Sequence, residues 1–78
     1  MSIDNLRERI DRLDTEIVRL LGERLKVARE IGEEKEKASL PVLDAARENR
    51  VLEKVRHLAL EQGIEPREVE RIYEQIID

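Results

Sequence analysis

Seventy-eight residues, 44% of them charged and only 1% aromatic, with a net charge of −4 and no cysteine, bound the answer before any motif is read. They exclude disulfides, thiolate metal sites and a basic, aromatic-lined nucleic-acid surface, and His57, the one histidine, cannot build an imidazole cluster. A chain this short buries a small core and commonly needs a staple, so oligomerisation is the staple left.

The apolar residues are mostly Leu, Ile, Val and Ala, which suits helices with charged outer faces. No apolar run reaches the roughly eighteen residues of a membrane span. The N-terminus has no signal-peptide pattern, so the expected location is cytoplasmic. The chain is read as a single all-α domain over 1–78.

The first helix is predicted from Ile3 to Lys35. Its apolar residues Ile3, Leu6, Ile10, Leu13, Ile17, Leu20, Leu21, Val27, Ala28 and Ile31 follow alternating steps of three and four. Ser2 or Asp4 suits its N-cap. The stretch 36–41 breaks the period, and Pro41 disfavours helix at Leu40. Asp44 is a good N-cap for a second helix over Ala45–Gln62, which Gly63 stops. A third helix starts with Pro66 in its first turn and carries Val69, Ile72, Tyr73, Ile76 and Ile77. Tyr73 reads as a core or interface side chain, and His57 as a solvated helix residue.

Length then argues for a second copy. The first helix would be about 50 Å long at 1.5 Å per residue. A compact globule of this chain length is only about 30 Å across. The two shorter helices cannot cover the whole seam, so an antiparallel homodimer is expected. A sharp break at Gly22 or Gly32, giving a monomeric bundle, is the alternative.

Several charges stand where apolar residues belong. Ile3, Ile10, Ile17 and Ile31 share one heptad position, and its remaining member is Arg24. A cation in that register must be paired or meet an anion, because burying a bare charge is prohibitive. By itself, a structural ion pair or an Arg reaching out to water explains it. The adjoining position reads Arg7, Asp14, Leu21, Ala28 and Lys35. Taken singly, Arg7 reads as a surface residue and Lys35 as a solvated helix-end lysine. On the second helix, Arg47 and Glu48 extend the stripe of Val51 and Leu52, while Asp44 and Glu48 suit the helix dipole.

Together these residues suggest a pocket. Arg24 and Lys35 lie about 16 Å apart along the axis, close enough to converge on a small molecule. Arg7, about 25 Å from Arg24, can join only from an antiparallel partner. Helix 2 folding back would add Arg47 and Glu48. Such a pocket fits a small ligand with several carboxylates and a hydroxyl.

At these residues the sequence resembles the all-helical chorismate mutases. The matching stretches are Leu6-Arg7-Glu8-Arg9-Ile10-Asp11 with Leu13-Asp14, Leu20-Leu21-Gly22-Glu23-Arg24, Ile31-Gly32-Glu33-Glu34-Lys35 and Pro41-Val42-Leu43-Asp44-Ala45-Ala46-Arg47-Glu48. The third helix matches in pattern. The resemblance implies a type II-like helical domain forming an intertwined homodimer. It implies conversion of chorismate to prephenate in aromatic amino-acid biosynthesis, with no cofactor and no metal. By position, Arg7 across chains and Arg24 bind one carboxylate and Arg47 the other. Lys35 donates to the ether oxygen, and Glu48 with Asp44 holds the ring hydroxyl. In the family a Gln or Glu further along the third helix is a second donor to the ether oxygen. By register it falls about six positions beyond Asp78, and Gln75 is about 13 Å too early to replace it. Reduced activity is therefore expected, on the order of 100-fold or more. Two other readings accompany this one. An isochorismate–pyruvate lyase shares the fold, and a catalytically silent helical dimer would bind a metabolite or regulate a partner enzyme.

Overall fold

The computed structural model describes residues 2–77. It contains α1 (Ile3–Lys37), α2 (Ala45–Glu61) and α3 (Pro66–Ile76), and no strand among the described residues. The all-helical class and the three elements follow the sequence pattern. The chain divides into two compact units, Met1–Leu40 and Pro41–Asp78.

The first unit is α1 with its caps. Ser2 is the N-cap, its side chain accepting the Asn5 N–H at 3.1 Å. The helix runs unbroken through Gly22 and Gly32, which removes the broken-helix alternative. It ends at Lys37, two residues later than the periodicity predicts. The end is set by backbone bonds that an apolar period cannot register. Leu40 N–H donates to the Lys35 carbonyl at 2.8 Å and Ser39 N–H to the Glu36 carbonyl at 3.2 Å. This is a Schellman closure, with Ser39 in the left-handed region at φ 55°.

Exposed ion pairs line α1. Arg19 bridges Glu16 at 2.9 Å and Glu23 at 3.0 Å, and Lys37 meets Glu34 at 3.5 Å. Each contributes only a few tenths of a kcal/mol, typical of exposed helix pairs. No residue of α1 is buried. Ile10, Ile17 and Leu20 of its apolar seam are each more than half exposed.

The second unit has a core of its own. Val51, Val55 and Ala59 recur every four residues on α2 and are its buried stripe. Against it α3 packs Val69, Tyr73 and Ile76, all half-buried. Arg56 donates to Glu70 at 2.8 Å and ties the two helices. The connection is short because α2 closes by the same motif as α1. Ile64 N–H reaches the Ala59 carbonyl at 2.9 Å and Gly63 N–H the Leu60 carbonyl at 3.1 Å. Here Gly63, at φ 70°, holds the left-handed position as predicted. Helix α2 ends at Glu61, with Gln62 as its cap rather than its last residue. In α3, Pro66 fills the first turn and Ile77 is the C-cap. No helix among the described residues is long and apolar enough to cross a membrane.

Candidate active site

The six singled-out residues lie three in each unit. On α1, the half-buried residues are Leu21, Arg24, Ala28 and Lys35, and the rest are exposed. These four are spaced by three, four and seven, so they form one stripe. Two of the four are the cations predicted from register. From Arg24 to Lys35 the helix makes three turns and about 20° more, over about 16 Å, so the two share a face. Arg7 is exposed, about 25 Å away along the axis.

Beside Lys35 the helix end forms a groove of about 500 Å³. Val27, Ile31, Ala38 and Leu40 supply apolar wall, and Glu30 and Glu34 the acidic edge. Ala38 and Leu40 were not legible as part of this groove. They reach it only because Ser39 turns the chain back and Leu40 bonds to the Lys35 carbonyl.

On α2 the three residues occupy the N-cap and first turns. Asp44 Oδ1 accepts the Arg47 backbone N–H at 3.0 Å, which is capping. The Asp44 carbonyl accepts from Glu48 N–H at 3.0 Å. Glu48 is half-buried and lies three, seven and eleven residues before Val51, Val55 and Ala59. It therefore heads the buried stripe as a charge, as Arg24 interrupts the seam of α1. Arg47 is exposed, at a helix N-terminus where the dipole disfavours a cation. An exposed cation placed against the dipole is available to an anion.

Among the described residues, no group of three or more His, Cys, Asp or Glu is placed to hold a metal. His57 is exposed, and Gln75 is exposed in the last turn of α3. The donor expected beyond Asp78 lies outside the described residues. Sequence reading missed the Arg56–Glu70 tie, whose partners are fourteen residues apart on different helices. No local spacing signals such a pair.

These placements define a small all-helical protein that sets charges in apolar register within and at the ends of its helical stripes. Comparison with known proteins gives the family. The chain matches chorismate mutase type II over residues 6–78. It is 46% identical over 78 residues to the bifunctional chorismate mutase/prephenate dehydratase of Aquifex aeolicus (strain VF5), covering 96% of this chain and 22% of that protein. It is 27% identical over 73 residues to the chorismate mutase of Methanocaldococcus jannaschii, covering 94% of this chain and 74% of that one. A bifunctional chorismate mutase/prephenate dehydratase of Buchnera aphidicola subsp. Schizaphis graminum is 32% identical over 74 residues, covering 95% of this chain and 19% of that protein. The chain thus spans about a fifth of the length of the bifunctional relatives it matches. No solved structure matches it significantly. The chain belongs to the chorismate mutase type II family.

Proposed function

We propose that the chain is a chorismate mutase working as a homodimer built on paired α1 helices, in the cytoplasm. The observation that carries this is that Arg24 and Lys35 share with Leu21 and Ala28 the one half-buried stripe of an otherwise exposed helix. A buried core of Val51, Val55 and Ala59 is small for the chain, and pairing α1 would bury the seam that stands open.

The reaction is an intramolecular rearrangement of chorismate to prephenate. The ether C–O bond breaks as a C–C bond forms, and no proton or electron leaves the molecule. The protein therefore has two tasks, to hold the reactive conformer and to stabilise negative charge growing on the ether oxygen. Arg24, with Arg7 of the other protomer, binds one carboxylate. Arg47 binds the second. Lys35 donates to the ether oxygen, where charge appears only in the transition state. Glu48 accepts from the ring hydroxyl. Asp44 has one carboxylate oxygen committed to the Arg47 N–H, so it acts by fixing the first turn of α2 or through its other oxygen.

Turnover of chorismate by the wild-type chain and by Arg24→Ala tests the reading. The substitution is expected to lower kcat/KM on the order of 100-fold or more. Activity insensitive to it would refute the site.

A further inference from the structure

We propose that Asp14 of one protomer is a positioning residue for Arg24 of the other, holding its guanidinium where it can bind the ligand carboxylate. The proposal rests on the reading that two α1 helices pair antiparallel.

It starts from Asp14 itself. The positions one turn away on α1 are Ile10, Asp11, Ile17 and Val18, so no cation of its own helix is within reach. Four other α1 carboxylates are served locally, Glu8 by Arg12, Glu16 and Glu23 by Arg19, and Glu34 by Lys37. Among the described residues Asp14 joins no such pair. Yet it is heptad-spaced from Leu21, Ala28 and Lys35, three of the four half-buried residues of α1. A carboxylate beside a closing apolar seam requires a counter-ion.

Register supplies one. Facing Ile17 with Leu20 of the other protomer brings Ile10 opposite Val27, Leu6 opposite Ile31, and Leu13 opposite Arg24. Sliding by one heptad in either direction leaves part of the seam unfaced at both ends. In the longest pairing Asp14 stands one residue, about 1.5 Å of rise, from the level of Arg24. The cations Arg19 and Lys26 lie on the outer face of the helix, five residues before and two after Arg24. Arg24 is the cation at that edge. The same register sets Arg7 about midway between Arg24 and Lys35. A guanidinium offers five N–H groups in a fixed fork. Held on one side by Asp14, it keeps the other for the ligand, with its orientation fixed in advance.

Mixed dimers test this. In a dimer of one Asp14→Asn chain and one Arg24→Ala chain, action across the pair puts both lesions in one pocket and leaves the other wild type. Action within a chain puts one lesion in each pocket. Calorimetric titration with a bicyclic ether dicarboxylate shaped like the cyclic transition state is expected to find one wild-type-affinity site per mixed dimer. The Asp14→Asn homodimer is expected to bind this probe about tenfold more weakly, with Asp14→Glu recovering most of the loss. No wild-type-affinity site in the mixed dimer, or undiminished affinity in the Asp14→Asn homodimer, overturns the proposal. A weaker dimer with unchanged probe affinity also overturns it, because that is a purely structural role. Sedimentation of the wild-type chain keeps the failures apart, since a monomer there sinks the pairing itself.

Discussion

The two units of this chain carry similar apolar side chains to opposite ends. In Pro41–Asp78, α2 and α3 turn their stripes together, and Val51, Val55 and Ala59 are buried. In Met1–Leu40 one helix carries a longer seam and no residue is buried. Apolar periodicity therefore does not itself make a core. The hairpin of α2 and α3 buries its own stripe, whereas the 35-residue α1 has no buried residue.

The sharpest way to break that comparison is a charge on each kind of apolar residue. Ile17→Glu lies mid-seam on α1, and a dimer would bury two copies close together. Burying an unpaired carboxylate costs several kcal/mol, so we expect no dimer at micromolar concentration by sedimentation. Leu60→Glu on α2, at a position 63% exposed, is expected to change stability by less than about 0.5 kcal/mol. Equal effects from the two would show that the seam is ordinary surface.

A smaller effect sharpens the contrast from the other side. Val55, 4% exposed, is the centre of the α2 stripe. Val55→Ala is expected to lower unfolding free energy by about 2 kcal/mol, measured by urea denaturation. Val18→Ala, which removes the same atoms from a residue 66% exposed, should cost almost nothing.

What was legible in the sequence follows the same division. The elements came from local signals: the period of α1, Asp44 and Gly63 at the ends of α2, and Pro66 opening α3. Arg24, Arg47 and Glu48 stood out as charges in apolar register, and Arg7 and Lys35 as cations flanking the apolar stretch of the adjoining heptad position. Arg24, Lys35 and Glu48 are half-buried, whereas Arg7 and Arg47 are exposed, a difference the spacing does not carry. The end of α1 was misplaced by two residues because a backbone closure around a serine leaves no mark on periodicity. The Arg56–Glu70 pair was invisible because it depends on how two helices dock. Local chemistry is written in the order of residues, and docking is not.

Asp44 allows capping and ligand binding to be separated. Asp44→Ala removes the acceptor for the Arg47 N–H and should cost about 1 kcal/mol of stability. Asn caps about as well as Asp, so Asp44→Asn should keep the stability. Any loss of chorismate turnover in Asp44→Asn then reports on the carboxylate's charge rather than on the helix. Full activity and full stability in that variant would reduce Asp44 to a cap.

The smallest expected effect comes from the one device both units share. α1 and α2 end in the same pair of backbone bonds, with Ser39 at φ 55° in one and Gly63 at φ 70° in the other. An L side chain in the left-handed region costs roughly 1–2 kcal/mol, partly offset because glycine loses more entropy on folding. Ser39→Gly is therefore expected to stabilise the chain by about 0.5–1 kcal/mol, and Gly63→Ser to destabilise it by a similar amount. A Cβ added at Gly63 meets nothing within 4 Å, so that cost is purely conformational. Thermal unfolding of the two variants should move Tm in opposite directions. The Ser39 exchange matters beyond stability, because Leu40 N–H holds the carbonyl of Lys35 through this turn. If Ser39→Gly raises Tm yet leaves turnover unchanged, the turn serves only to end α1. If turnover shifts as well, the closure also sets where Lys35 stands.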